Sequence, residues 1–339
     1  MSRVYAFKNT DKTVMKSSSG GAFSAICYSL FESYESKACV YGAAFTSEME
    51  ISHIAAYSFK ECRAFYGSKY VKSKCGSDVF SDIALKLKDN WHIVFSGTPC
   101  QIYALKQSLS KADVSTDTIL FVDMICHGTP KVEVWKAYKK WLEGSNNGRL
   151  VKYSFRYKPE GWKAYPAYAE FDNGAKLINT AETSVFSRLH IKRYSIAKGC
   201  FNCPFSSRDR VSDITLGDFW GVERENTKIN SKNGVSLVLA NTTKGVNVIE
   251  NIKKVSPQKG YSTVEIHSDN YLEYQQNLKT PTPMPDNYDQ FWTDFNSLSF
   301  EKVLEKYIGY GTKYRIMFFI RKQIRKTPII KYYRRVKKR

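Results

Sequence analysis

The chain has 339 residues, of which 42% are hydrophobic, 14% aromatic and 25% charged, a globular composition with length enough for about two domains. That excludes a disulfide-stapled miniprotein, a fibrous chain and a disordered one, and no period of about 20 to 50 residues suggests a solenoid or propeller. Fifty-two Lys and Arg oppose 32 Asp and Glu, a net +20, yet twelve of those cations lie between Lys313 and Arg339, where no acid occurs; the other 312 residues hold 40 against 32 and are only mildly basic.

Short β-branched or apolar runs at Val40–Phe45, His53–Tyr57, His92–Phe95 and Thr118–Ile125 predict strands. Helical periodicity near Gly21–Glu32, Asp78–Leu87, Gln101–Leu109 and Pro130–Leu142 alternates with them. After Asn146, Asn147 and Gly148 the rhythm becomes β-rich, with a hairpin turning at Asp172, Asn173 and Gly174 and strands at Asp213–Gly217 and Ser236–Ala240. From about Ser297 it is helical again. The expected fold class is α/β: a mixed-sheet core over 1–148, a β-rich α+β region over 149–296 and a basic helical tail over 297–339. No run is apolar enough to span a membrane and Met1–Lys12 lacks a secretory h-region, so the chain is expected to be cytoplasmic.

Eight cysteines in such a chain stay reduced and are packing residues, metal ligands or reactive groups. Cys27, Cys39 and Cys62 fall within apolar or helical patterns and are expected to pack; Cys75 beside Lys74 and Gly76 is a candidate exposed thiol. Phe95–Gln101 and Cys126–Pro130 both place Gly-Thr-Pro after a predicted strand, where Thr serves as N-cap and Pro as N1. In the first copy Gln101 completes a capping box, which sets Cys100 at the positive end of a helix. If the two strands are parallel, both sulfurs leave the carboxyl edge of the sheet, where open α/β folds place ligands. Cys200 and Cys203 supply a C-x-x-C turn. Together these are four thiolates, enough for one [4Fe-4S] cluster or one zinc, while ordinary buried thiols remain the plain alternative.

Ser17, Ser18, Ser19, Gly20 and Gly21 precede the helical pattern of Ala22, Phe23, Ile26 and Leu30, a composition suited to holding a phosphate at a helix N-terminus or simply to capping the helix. Neither G-x-G-x-x-G nor a P-loop is present. Gly67, Ser68, Lys69 and Tyr70 form a second compact turn.

Taken in order, Ser-Ser-Gly-Gly-Ala-Phe at 18–23, Gly-Ser-Lys-Tyr at 67–70, Ser-Gly-Thr-Pro-Cys-Gln at 96–101, Cys-His-Gly-Thr-Pro at 126–130, Gly199–Cys203 and Ser212–Gly221 resemble the coenzyme F420 hydrogenase/dehydrogenase beta subunit family. The likeness covers roughly residues 15–245. It implies a flavoprotein oxidoreductase that moves reducing equivalents between a deazaflavin, coenzyme F420, and one-electron carriers. Carried over, Cys100, Cys126, Cys200 and Cys203 ligate a [4Fe-4S] cluster. Ser18, Ser19, Gly20 and Gly21 contact FAD phosphates, and Ser68, Lys69 and Tyr70 lie near the flavin. No catalytic acid or base is implied. The N-terminal ferredoxin-like segment of many members is missing, so a separate ferredoxin-like electron carrier is the expected partner, with a link to surface polysaccharide synthesis as in bacterial members. The alternative is a non-catalytic or zinc-stabilised interaction protein serving a membrane-bound polysaccharide assembly.

His127 is expected to make an ordinary hydrogen bond, and Arg156, Trp162 and Lys163 to be solvated rather than to line a pocket. In the tail, Tyr314, Ile316, Met317, Phe318, Phe319, Ile320 and Ile324 are interleaved with Lys313, Arg315, Arg321, Lys322, Arg325 and Lys326. Such mixing suits peripheral contact with a membrane or membrane enzyme through residues 313–339, with Pro328 ending the helix; a solvated disordered end ranks second and nucleic acid third.

Overall fold

The computed structural model describes residues 2–160, 162, 166–225 and 227–326; Lys163 and the end of the tail, Pro328 included, lie outside the described residues. The strands are β1 (Arg3–Lys8), β2 (Ala38–Phe45), β3 (Ile51–Ala56), β4 (His92–Gly97), β5 (Ile119–Met124), β6 (Leu150–Ser154), β7 (Tyr168–Phe171), β8 (Lys176–Ile178), β9 (Ile214–Asp218), β10 (Ser236–Ala240) and β11 (Ser262–Ile266). The helices are α1 (Asp11–Lys16), α2 (Ala22–Ser33), α3 (Ser77–Lys88), α4 (Pro99–Lys111), α5 (Val132–Asn146), α6 (Ala181–Ile191), α7 (Thr243–Lys259), α8 (Tyr288–Ser297), α9 (Phe300–Ile308) and α10 (Thr312–Lys326).

Eight strands form one mixed sheet in the order β11-β1-β10-β9-β5-β4-β2-β3. Its centre is parallel, β2 with β4, β4 with β5 and β5 with β9, while both flanks are antiparallel. Successive side chains point to opposite faces of a strand, and the central strands are apolar on both. Val40, Val94 and Val122 enter the layer packed with α2 and α7; Cys39, Tyr41, Phe95 and Phe121 enter the layer packed with α3 and α4. The α/β reading is thus met, with the expected strands and helices within a few residues. The sheet does not stop at residue 148: β9, β10 and β11, from the later half, sit beside β5 and β1.

β6, β7 and β8 form a separate antiparallel sheet whose β7–β8 hairpin turns at Asp172–Gly174, as the sequence suggests. It shares a core with α5, α6, α9 and the aromatic residues Trp135, Tyr138, Phe155, Phe186 and Phe291. Six elements among the described residues lie outside the sequence expectation, β1, α1, α6, α7, β11 and α8. α7 begins at a Thr242 side chain accepting from the Gly245 amide, and Gly245 is needed there because a Cβ would lie 2.2 Å from the Asp213 carbonyl oxygen.

Candidate functional site

Gly97 of β4 stands beside Asp123 of parallel β5, so the chain after each strand leaves the same carboxyl edge. After β4, Thr98 caps α4, Pro99 is its first residue, and the Thr98 amide donates to Gln101 Oε1 at 3.0 Å, the anticipated capping box. Cys100 is exposed on that first turn, with the Thr98 hydroxyl 3.1 Å from its sulfur. Behind it runs a relay the sequence did not reveal. Gln101 Nε2 donates to Ser73 Oγ at 2.9 Å, Ser73 Oγ lies 3.0 Å from His53 Nδ1, and His53 Nε2 lies 2.9 Å from the Ser96 carbonyl. A carbonyl only accepts, so Nε2 carries the proton and Nδ1 accepts from Ser73. Burial lowers the His53 pKa and keeps the ring neutral. The helix start bearing Cys100 is therefore pinned to β3 and β4.

After β5, Gly128 has φ +95°, and a Cβ there would lie 2.6 Å from Ile196 Cγ2, so glycine lets the Cys126–Pro130 loop close on the next segment. Pro130 bridges to Ile196, the Lys131 amide donates to the Ser195 carbonyl at 2.8 Å, and the Ala197 amide donates to that of Thr129 at 3.0 Å. This corrects the sequence reading of Thr129 and Pro130 as N-cap and N1. Their backbone is spent on pairing with 195–197, and α5 begins only at Val132 after an uncapped Lys131. The pairing delivers the 3₁₀ turn Lys198–Asn202, so that Thr129 Oγ1 lies 3.7 Å from Cys200 Sγ.

Cys203 is tethered from the other side. Phe205 packs on Tyr103 of α4 with ring centroids 5.4 Å apart, and buried Arg210 joins the two halves of the edge. Its guanidinium donates to the Phe205 carbonyl at 2.9 Å and to Asp123 Oδ2 on β5 at 2.8 Å. Both side chains of that ion pair are almost fully buried. Burial pushes the Cys126 thiol up to about 12; the Gly128 amide acts against this, and Cys200, Cys100 and Cys203 add to it, so the four sulfurs share one electrostatic neighbourhood. Among the described residues, no group of three or more His, Cys, Asp or Glu is arranged to hold a metal ion. Four thiols on three segments are the kind of donor set that a polynuclear cluster, ligated at separate corners, would take. Of the other cysteines, Cys27, Cys39 and Cys62 are buried as expected, whereas Cys75 is half-buried against the α3–α4 layer and its thiol is pushed up to about 12, which corrects the exposed reading.

The serine-glycine turn lies where β1, β10 and α2 meet. Gly20 is glycine because a Cβ would sit 2.2 Å from the Phe7 carbonyl oxygen and 2.4 Å from the Ser236 amide. Its own N–H donates to Ser236 Oγ at 2.9 Å, so Gly20 packs two strands and its amide is not open to a phosphate. Gly21, at φ +81°, caps α2, and Ser19 donates to the Val235 carbonyl at 2.7 Å. The second turn joins the first: Ser68 donates to Ser18 Oγ at 2.7 Å. Tyr70 faces away, stacked on His190 and edge-on to Phe155.

Two lysines here have no carboxylate within ion-pair distance among the described residues. Lys69 Nζ donates to the Ala64 and Tyr66 carbonyls at 3.0 and 2.9 Å. Lys158, only 5% exposed, donates to the Val14 and Ser19 carbonyls at 2.7 and 2.5 Å. Burial lowers both to about 7; Arg156 and Lys8 repel Lys158 further, while the Asp218 carboxylate acts against them. Ammonium groups hydrogen-bonded to carbonyls alone leave their positive charge only partly compensated, which is what an anion would answer. Lys158 lies in no motif, and sequence reasoning does not find it. Arg156 and Trp162, expected to be solvated, are buried instead. Arg156 pairs with Asp218 at 2.6 Å, and Trp162 stacks on Trp220 at 4.5 Å; a Cβ on Gly234 would lie 3.2 Å from both Trp162 and Ser19. Asp218 in turn acts on His127, whose ring is also hydrogen-bonded to Asn277. A line of polar groups, His127, Asp218, Arg156, Lys158 and Ser19, thus connects the thiol edge to the serine-glycine turn.

Residues 91–259 match the family model for the C terminus of the coenzyme F420 hydrogenase/dehydrogenase beta subunit. No curated protein matches the sequence. Among solved structures, a chain of the xenon-derivatised F420-reducing [NiFe] hydrogenase complex from Methanosarcina barkeri shares the fold, with a TM-score of 0.51 and 17% identity over 81% of this chain and 86% of that one. The ordered motifs, the mixed sheet and the matched segment agree: through residues 91–259 the chain belongs to the coenzyme F420 hydrogenase/dehydrogenase beta subunit family.

Proposed function

We propose that this chain is a flavin- and iron–sulfur-dependent oxidoreductase that passes reducing equivalents between a deazaflavin-type hydride donor and a one-electron carrier on a separate, ferredoxin-like protein. The observation that carries the reading is the gathering of Cys100, Cys126, Cys200 and Cys203 at one edge of the sheet, held by Gly128, the 129–131 pairing and Arg210. Those four thiolates would hold a [4Fe-4S] cluster. FAD would lie along the Ser18–Ser68 contact, with Lys158 and Lys69 neutralising its pyrophosphate. A flavin supplies the conversion between a two-electron hydride and single electrons. The chain's own part is to hold thiolates, place cations and exclude water, so no side chain is assigned as acid or base. The structural neighbour belongs to a hydrogenase complex, which favours a protein partner here as well. A role beside surface polysaccharide synthesis belongs to the same reading and rests on the family resemblance.

The test is anaerobic purification of the full chain with iron, acid-labile sulfide, zinc and flavin measured on one sample. Roughly four irons and four sulfides with one FAD per chain are expected for a single cubane-plus-flavin protein. Cys203→Ser should lower iron and sulfide and bleach the broad visible absorbance while far-UV circular dichroism stays unchanged. Stoichiometric zinc, or a Cys203→Ser protein with full iron content, would overturn the cluster assignment.

A further inference from the structure

Helix α10 is held to the body by one face. Tyr314 and Phe318 pack on the α5–α6–α9 core, and the Tyr314 hydroxyl lies 2.7 Å from Ser184 Oγ. Lys322 Nζ donates to the Ile178 and Asn179 carbonyls at 3.0 and 2.9 Å, and Arg315 reaches Glu182 and Tyr310. At 3.6 residues per turn, residues 314, 318 and 322 form one ridge. On the other side lie Ile316, Met317, Phe319 and Ile320, which are 54%, 41%, 61% and 42% exposed. An amphipathic helix ordinarily buries its apolar face and shows its polar one. Here the docking ridge takes two aromatics and a second apolar face is turned outward.

The charges that α10 itself carries are of one sign. Lys313 and Arg321 flank the outward face, no acid follows Glu305 in the chain, and Lys331, Arg334, Arg335, Lys337, Lys338 and Arg339 continue the run beyond the helix. A helix with an exposed apolar face, flanking cations and no acids of its own has the composition of helices that lie in the headgroup layer of an anionic bilayer. A second copy of this chain would bring the same cations against themselves, which disfavours self-association through this face. No helix among the described residues is long and apolar enough to cross a membrane, so the geometry suits one that rests on its surface. We propose that α10 docks the protein on an anionic lipid surface, Ile316, Met317, Phe319 and Ile320 entering the acyl boundary and the flanking Lys and Arg contacting phosphate headgroups. This is independent of the redox chemistry at the thiol edge.

The experiment is co-sedimentation of the full chain with vesicles of phosphatidylcholine alone and of phosphatidylcholine with about a third phosphatidylglycerol. Strong binding to the anionic vesicles, weakened by added salt, is expected, with little to the neutral ones. Phe319→Glu with Ile320→Glu should weaken binding at least about tenfold, because two apolar side chains that enter the bilayer are lost and two negative charges gained. Both residues are exposed, so the variant should keep its melting temperature and its flavin and iron content. Absence of anionic-vesicle binding overturns the proposal, and so does undiminished binding of the double variant. A concentration-dependent dimer that the double variant abolishes without vesicles would also overturn it, by assigning the face to a second copy.

Discussion

Lys158 shows how a residue without a motif can become a candidate for a site. A lysine in a 3₁₀ turn carries no sequence signal, and only the fold reveals that its ammonium is buried against the Ser19 carbonyl. Ser18 and Ser68, by contrast, are legible because small residues before an apolar helical pattern mark a tight turn, although sequence alone does not show that the two hydroxyls meet. Gly20 is a poor probe of phosphate contact: valine there would collide with the backbone of β1 and β10 and unfold the region, so lost flavin would say nothing about the ligand. Lys158→Met keeps the volume and removes the charge, and should weaken FAD binding about tenfold or more, read by fluorescence titration. The sign of the pH dependence follows from burial. In the ligand-free fold Lys158 is lowered to about 7 from an ordinary 10.5, so the unfolded chain holds the proton more tightly and the free protein gains stability as pH rises from about 7 toward 10.5. An anion restores the proton. FAD affinity should therefore be greatest below pH 7, fall above it by up to about tenfold per unit for each lysine protonated on binding, and fall less steeply in Lys158→Met. An affinity independent of pH in the parent protein would remove Lys158 from the site.

Among elements, the two Gly-Thr-Pro junctions read alike and fold differently. Thr98 and Pro99 start α4 because the Gln101 side chain returns to the Thr98 amide, and Gln101 is itself held by Ser73 and His53. Thr129 and Pro130 have no such glutamine and instead meet residues 195–197, a pairing across more than sixty positions that no local pattern encodes. Arg210 is the comparable long-range tie between the Cys203 turn and β5. Removing one partner of a buried ion pair costs about 3–5 kcal/mol because the other charge stays buried and unpaired. Arg210→Leu should lose that much in urea unfolding, while Arg210→Leu with Asp123→Leu should recover most of it. Equal losses in the single and double variants would mean that Arg210 acts through its carbonyl contacts alone. Gly128→Val should leave the sheet intact yet lower iron content, since its side chain would push Ile196 and the Cys200 turn away.

At the level of the molecule, the element types are legible in the first half because parallel βα units repeat a strong contrast, an apolar run and then a helical period. The sheet's closure is not, because strand order is set by pairings remote in sequence. β1 has no pattern that marks it, yet it lies between β10 and β11, and β10 and β9 stand between it and β5. Cutting the chain near Gly148 would strip β1 of both neighbours and leave β5, four of whose six residues are apolar and deeply buried, with an open edge. An exposed apolar edge invites aggregation rather than folding. Residues 2–148 expressed alone should therefore be insoluble or lack protected amides in β4 and β5 by hydrogen exchange, and co-expression with residues 149–326 should restore both. A soluble, protected 2–148 fragment would mean that the β2–β4–β5 core folds without its antiparallel flank. The same cut separates Cys100 and Cys126 from Cys200 and Cys203. Recovery of iron on co-expression would then report reassembly of the edge itself, linking closure of the sheet to completion of the site.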